Sequence, residues 1–140
     1  MAEHVAAVDL GVTWDPNAPA ARLTATDEGE TRLTLRAHPD DDDQRPLHLV
    51  WSGCLVARME PPNDEAISSH RLYNAGLRDL RWLGEVYESD LVAGLERRNR
   101  PHPQHNSERY TVLHHWVAPL KETTVEVVGH SLRVERGASR

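Results

Sequence analysis

From Val8 the chain alternates apolar and polar residues, with Val8, Leu10, Val12 and Trp14 on one parity and Asp9, Gly11 and Thr13 on the other. A half-buried strand has that period of two. Two prolines in DPNAPA, residues 15–20, end the run. Alternation returns as Leu23 and Ala25 against Arg22, Thr24 and Thr26. After the polar turn Asp27 to Glu30 it recurs as Leu33, Leu35 and Ala37 against Arg32, Thr34 and Arg36. Together these two runs predict a β-hairpin with one wet face. LHLVWSGCLVARM, residues 47–59, carries large apolar side chains on both parities and predicts one strand buried on both faces. Gly53 in its middle marks a bulge or a close backbone approach.

PPND, residues 61–64, is a stop followed by residues suited to capping, so a short helix or turn ending near Gly76 is expected. Leu80, Trp82, Gly84 and Val86 then alternate as a further strand. Ser89 is a suitable N-cap for a helix from Asp90 to Arg98, with Leu91, Val92 and Leu95 as its apolar stripe. Arg97, Arg98 and Arg100 gather at its C-terminal end, where the helix dipole favours cations, and Pro101 ends it. Residues 110–117 and 123–134 read as two long strands joined through APLKET, hence an antiparallel pair. RGASR at the end is expected to fray. The pattern as a whole predicts one α+β domain over residues 1–140, mainly antiparallel β with about seven strands, and with the helix packed on one sheet face.

Composition narrows the function classes. The formal net charge of -6, with a dense basic run only at Arg97, Arg98 and Arg100, argues against a nucleic-acid backbone as partner. Four Trp and no Phe make Trp14, Trp51, Trp82 and Trp116 the expected core anchors. Cys54 is the single cysteine, which excludes an intramolecular disulfide and a cysteine-based zinc cluster and fits a reducing cytoplasm. Nothing beside it signals a lowered thiolate pKa, so a buried structural role is expected. The start MAEHVAAVDL lacks the features of a signal peptide, and no apolar run approaches the roughly 18 residues of a membrane helix. The chain reads as cytoplasmic and mature from Met1.

Candidate chemistry concentrates in histidines. His102 and His105 stand three apart in PHPQH, a spacing at which two imidazoles can meet one divalent transition metal. His114 and His115 follow, but adjacent strand residues point to opposite faces, so only one of them can join, with His115 the candidate ligand. His70 and Glu126 are further ligands if the sheet brings them round. The same residues, with Tyr73, also make an acid/base set: His70, Tyr73 and Glu126 as catalytic groups. On an open sheet face Glu126 is a polar strand position, which is the expectation. On a covered face it becomes a desolvated carboxylate with a raised pKa and a base. The loop 38–46, with Asp40, Asp41, Asp42 and Asp43, lacks the ligand spacing of a calcium loop and reads as solvated. No phosphate-binding, dinucleotide-binding or nucleophile-elbow motif is present.

His70, Leu72, Tyr73, Gly76, Leu77, Glu85, Val86, Ser89, Leu95, Glu96, Asn99, His102, Pro103, His105, Leu113, His115, Thr124 and Glu126 together resemble a family of small uncharacterised bacterial proteins. No activity attaches to that family, so the resemblance implies no catalytic roles. More loosely, the strand pattern of the first half is similar to β-rich immunity proteins of bacterial toxin systems. The leading expectation is therefore a non-enzymatic binding protein acting through protein contacts, at Asp40 to Asp43 or at Arg97, Arg98 and Arg100. No cofactor, nucleic acid or membrane is expected, and a homodimer is left open. The alternative is a small enzyme or ligand- or metal-binding protein built on the histidines and Glu126.

Overall fold

The computed structural model describes residues 2–138. In chain order the strands are β1 (His4–Ala7), β2 (Arg22–Ala25), β3 (Thr31–Leu35), β4 (Leu47–Ser52), β5 (Val56–Glu60) and β6 (Gly84–Tyr87). The helices α1 (Asp90–Asn99) and α2 (Glu108–Thr111) come next, then β7 (His114–Pro119), β8 (Thr124–Gly129) and β9 (Ser131–Arg136). Every pairing is antiparallel. Five strands lie in the order β1-β6-β7-β8-β5 and four in the order β2-β3-β4-β9. Mainly antiparallel β was legible, but the nine strands in two sheets among the described residues only roughly match the expected seven with one helix packed on a sheet face. Among the described residues no helix is long and apolar enough to cross a membrane.

The sheets face each other across one core. Leu33, Leu35, Leu47, Leu49 and Trp51 come from the four-stranded sheet, and Trp116, Ala118, Val125 and Val127 from the five-stranded one. Three of the four Trp are buried there, Trp14, Trp51 and Trp116; Trp82 packs half-buried, edge-on to Trp14. β3 alternates buried and half-buried as a strand with one wet face must. The hairpin 22–37 forms as expected, closed by the turn Thr26 to Glu30.

Several expected strands differ. The strand expected from Leu80 begins only at Gly84, and Tyr110 and Thr111 of the one expected over 110–117 lie in α2. Residues 47–59 and 123–134 each divide at a corner, so β4 and β9 pair in one sheet while β5 and β8 pair in the other. The corners are bonded together: His130 N–H donates to Ser52 O at 2.9 Å and Leu55 N–H to Val128 O at 2.9 Å. Gly53 supplies the bend with φ of +65°. Residues 8–14 form no strand, because Asp9 Oδ1 accepts the Gly11 N–H at 2.8 Å and Gly11 turns at φ +70°. Val8, Leu10 and Val12 still pack on the core. Trp14 bridges Ala37.

Residues 64–79 lie over the outer face of the five-stranded sheet as three short 3-10 helices, Asp64–Ser69, Tyr73–Ala75 and Leu77–Asp79. Leu72 and Leu77 bury against Val86 and Val117, with Val5, Ile67, Ala75 and Leu80 around them. β8 is consequently buried at every position, on both its faces. At the end of the chain Arg136 lies in β9 and Gly137 N–H donates to Pro46 O at 2.7 Å, so those residues are held. Met1, and Ser139 and Arg140 of the expected frayed tail, lie outside the described residues.

Candidate functional site

Glu126 stands on β8 between two core valines and faces outward, under the 64–79 cover. Burial of Leu72 draws its neighbours His70 and Arg71 onto that face. Arg71 grips the carboxylate with both nitrogens, Nη1 to Oε2 at 2.9 Å and Nη2 to Oε1 at 2.6 Å. His115, paired with Val128 across β7 and β8, brings Nε2 to 2.8 Å from Oε1, and His70 Nε2 lies 3.4 Å from Oε2. Arg58 Nη2 is 4.0 Å away. The four close contacts use the acceptor directions of one carboxylate. The side chains of Glu126 and His115 are 3% and 0% exposed, so water does not compete for them.

The expectation of an open face is therefore overturned, and so is the raised pKa expected of a covered one. Burial does push the Glu126 carboxyl upward. Hydrogen bonds from His115, His70 and Arg71, with the Arg71 charge, outweigh it and hold the group well below the usual carboxylate range. The arrangement favours the anionic form of Glu126, whose oxygens are already engaged by Arg71, His115 and His70. Arg71 is held correspondingly more basic, first by its bonds to Glu126.

Donor and acceptor roles follow from that anion. Its partner His115 carries a hydrogen on Nε2, so in the neutral ring Nδ1 is an acceptor. Ser89 Oγ lies 2.8 Å from that Nδ1 and itself accepts the Val92 N–H at 3.1 Å, as the N-cap of α1. In that tautomer the Ser89 hydroxyl donates to His115 Nδ1. A buried line of hydrogen bonds runs from Ser89 through His115 to Glu126. His70 is fixed in the same sense, its Nδ1 accepting the Leu72 N–H at 3.0 Å.

Ser89 opens onto a groove of about 890 Å³ between the β6 end, β7, α1 and α2. Val86, Val92 and Leu113 give it apolar surface and Ser89, His115 and Tyr110 polar groups; its charged residues are Arg97 and Arg100 against Glu85, Glu88, Asp90 and Glu96. The turn into the helix is tight: Glu88, between β6 and Ser89, has φ of +54°, a conformation that non-glycine residues adopt at a cost.

The remaining predicted residues lie elsewhere or are engaged. His105 belongs to a second cluster, its Nδ1 2.9 Å from Asn99 Nδ2 and its Nε2 3.3 Å from Glu96 Oε1 and 3.1 Å from Ser107 Oγ. Glu96 in that cluster is held at about 2 by bonds from Arg100 and Ser107. The cluster ties residues 100–107 back to α1. His102 only accepts the Gln104 N–H at 3.0 Å, and His114 pairs with Glu85 at 2.8 Å, away from His115 as strand parity requires. His102, His105 and His115 do not converge, and among the described residues no group of three His, Cys, Asp or Glu side chains is placed to hold a metal ion. Tyr73 lies beneath the Arg78 guanidinium, 5.9 Å from ring centre to carbon. In the acidic loop Asp41 pairs with Arg136 at 2.6 Å and Asp43 with Arg45 at 2.7 Å, leaving Asp40 and Asp42 exposed. Arg97 and Arg98 are exposed, whereas Arg100 is paired with Glu96 at 2.9 Å. The Cys54 thiol is half-buried and its pKa is raised by that burial.

Sequence reasoning named His70, His115 and Glu126, which do meet, but missed Arg71 and saw in Ser89 only a cap. No local signal marks Arg71; it is found only once Leu72 is known to bury. No protein-family model, curated protein or solved structure matches this chain.

Proposed function

We propose that the protein works by binding, and that its ligand is a small molecule held in the groove beside α1. The observation that carries this is the groove itself. At about 890 Å³, with Val86, Val92 and Leu113 set among a larger number of polar and charged side chains, it has the size of a ligand site and suits a polar ligand. The lining also holds Glu85, Glu88, Asp90 and Glu96, and Arg100 is paired with Glu96, so an anionic group on the ligand is accommodated only beside Arg97. Support also comes from the resemblance to the small bacterial family, which rests partly on residues of the two networks flanking the groove: His70, Ser89, His115 and Glu126 on one side, Glu96, Asn99 and His105 on the other. Membership of that family, and a cytoplasmic site of action, belong to this same reading.

The test uses anilinonaphthalene sulfonate, an anionic aromatic that brightens in apolar surroundings. Binding should weaken in Arg97→Ala and vanish in Ala93→Trp, whose indole fills the groove from an exposed helix position. Equal binding by the wild type and Ala93→Trp would refute the groove.

A second reading, protein contact, is favoured by a separate feature. Leu55 and Val112 are 49% and 54% exposed and line one depression of about 420 Å³ with Arg109, Tyr110, Leu113 and His130. Exposed large aliphatic side chains that adjoin mark contact surfaces more often than scattered ones do. Val112→Asp abolishing a stoichiometric complex with a purified partner, while the fold is kept, would support it.

A further inference from the structure

We propose that Ser89 is a nucleophile with His115 as its base, and that the groove takes a carboxylic ester. This rests on the groove being a ligand site. Capping explains Ser89 alone, but a cap requires nothing behind it. Here the hydroxyl lies 2.8 Å from a fully buried imidazole, which lies 2.8 Å from a fully buried carboxylate. Nucleophile, base and orienting anion are therefore in hydrogen-bond order; in the neutral ring the serine proton faces Nδ1 and the imidazole proton faces the carboxylate. Arg71 and His70 keep the anion in place and ionised, so Glu126 acts as a positioning residue and never takes the proton.

The backbone agrees. Ser89 sits where a strand turns sharply into a helix, after a residue at φ +54°, a strained junction that presents the hydroxyl at the groove. The Asp90 N–H, next in the chain, already holds an anionic oxygen, Glu3 Oε2 at 2.8 Å. A reacting carbonyl oxygen that uses this donor displaces Glu3 from it.

The chemistry balances without a co-reactant other than water. Ser89 Oγ bonds to the ester carbonyl carbon while its proton moves to His115 Nδ1. The carbon to alkoxy-oxygen bond then breaks, and the imidazolium returns the proton to the leaving alcohol. Water attacks the acyl-serine by the same route, His115 taking its proton and giving it to Ser89 Oγ as the carboxylic acid leaves.

The test is covalent labelling of the whole chain with an alkyl fluorophosphonate, read by intact mass and by peptide mapping. Single labelling at Ser89 is expected, with a rate at least about 100-fold above that of Ser89→Asn. Asn keeps the cap, so an unchanged unfolding midpoint shows that loss of labelling is not loss of fold. Ser131→Ala should label like the wild type, because Ser131 is an exposed residue of β9, away from the groove. No labelling of the folded protein, labelling at Ser107 or another residue, or labelling that survives Ser89→Asn would overturn the proposal. If the sulfonate probe still reports the groove in that event, the binding reading stands and only the nucleophile falls; if neither probe responds, both fall.

Discussion

Replacing Glu126 by Gln keeps the shape of the side chain and removes its charge. The amide retains one acceptor oxygen and presents an NH2 group to donors. Of the four close donors around it, two from Arg71 and one each from His115 and His70, the amide nitrogen must face some. Breaking a buried ion pair by removing one partner costs about 3–5 kcal/mol, chiefly for the charge left behind. Arg71 is 45% exposed and can partly rehydrate, so the lower end, about 3 kcal/mol, applies. With a urea m-value of about 1.5 kcal/mol/M, the midpoint should fall by about 2 M. Equilibrium unfolding followed by tryptophan fluorescence is a direct assay, since Trp14 and Trp51 are buried in the core and gain water on unfolding. A midpoint within about 0.3 M of the wild type, at unchanged m, would mean that the network is dispensable to the fold and that the burial argument is wrong.

The same carboxylate gives a pH dependence. Its folded pKa lies below the unfolded value of about 4.3, so under acid the unfolded chain binds a proton that the folded one refuses. Stability should be flat in this group above about pH 5 and fall towards pH 3, and urea midpoints at pH 5, 4 and 3 should drop less steeply in Glu126→Gln than in the wild type. Ser89→Ala should cost about 1 kcal/mol through the lost cap, and Ser89→Asn close to nothing, by the same unfolding assay. A Cβ at Gly53 would stand 2.1 Å from His130 Nδ1, at a backbone φ of +65°. Gly53→Ala should therefore cost about 2 kcal/mol, of which Gly53→Ala with His130→Ala recovers the steric part and leaves the backbone part, about 1 kcal/mol. Val112→Asp should move stability by no more than about 0.5 kcal/mol, because the side chain is already half in water.

What the chain made legible was local. The hairpin 22–37 was readable because each strand has one wet face and its turn is closed within five residues, Thr26 N–H donating to Glu30 O. Helix α1 was readable because Ser89 caps it and the dipole orders its charges. Residues 47–59 and 123–134 looked like single strands because apolar residues continue through both corners; a chain that leaves one sheet for the next stays buried. Only the pairing of the corners, Ser52 with His130 and Leu55 with Val128, distinguishes a bend from a straight run, and that pairing joins residues far apart in the chain. Alternation from Val8 to Trp14 was satisfied without a ladder, since an extended segment leaning on a core sorts its side chains in the same way.

The site was half legible for a related reason. Val125, Glu126 and Val127 read as a strand with one polar residue on an open face, and nothing nearby contradicts that. What closes the face is a segment with few apolar residues, whose 3-10 turns give no helical stripe to read. Leu72 and Leu77 suffice to seat it, and in seating it they carry Arg71 across 55 residues to Glu126. A carboxylate buried there by hydrophobic cover alone would be protonated or would unfold the cover. Arg71 and the two histidines make it a fixed anion instead, and a fixed anion behind His115 sets which ring nitrogen faces Ser89. Burial of two leucines on one side of the sheet thus decides the direction of a hydroxyl on the groove at the other end of the line.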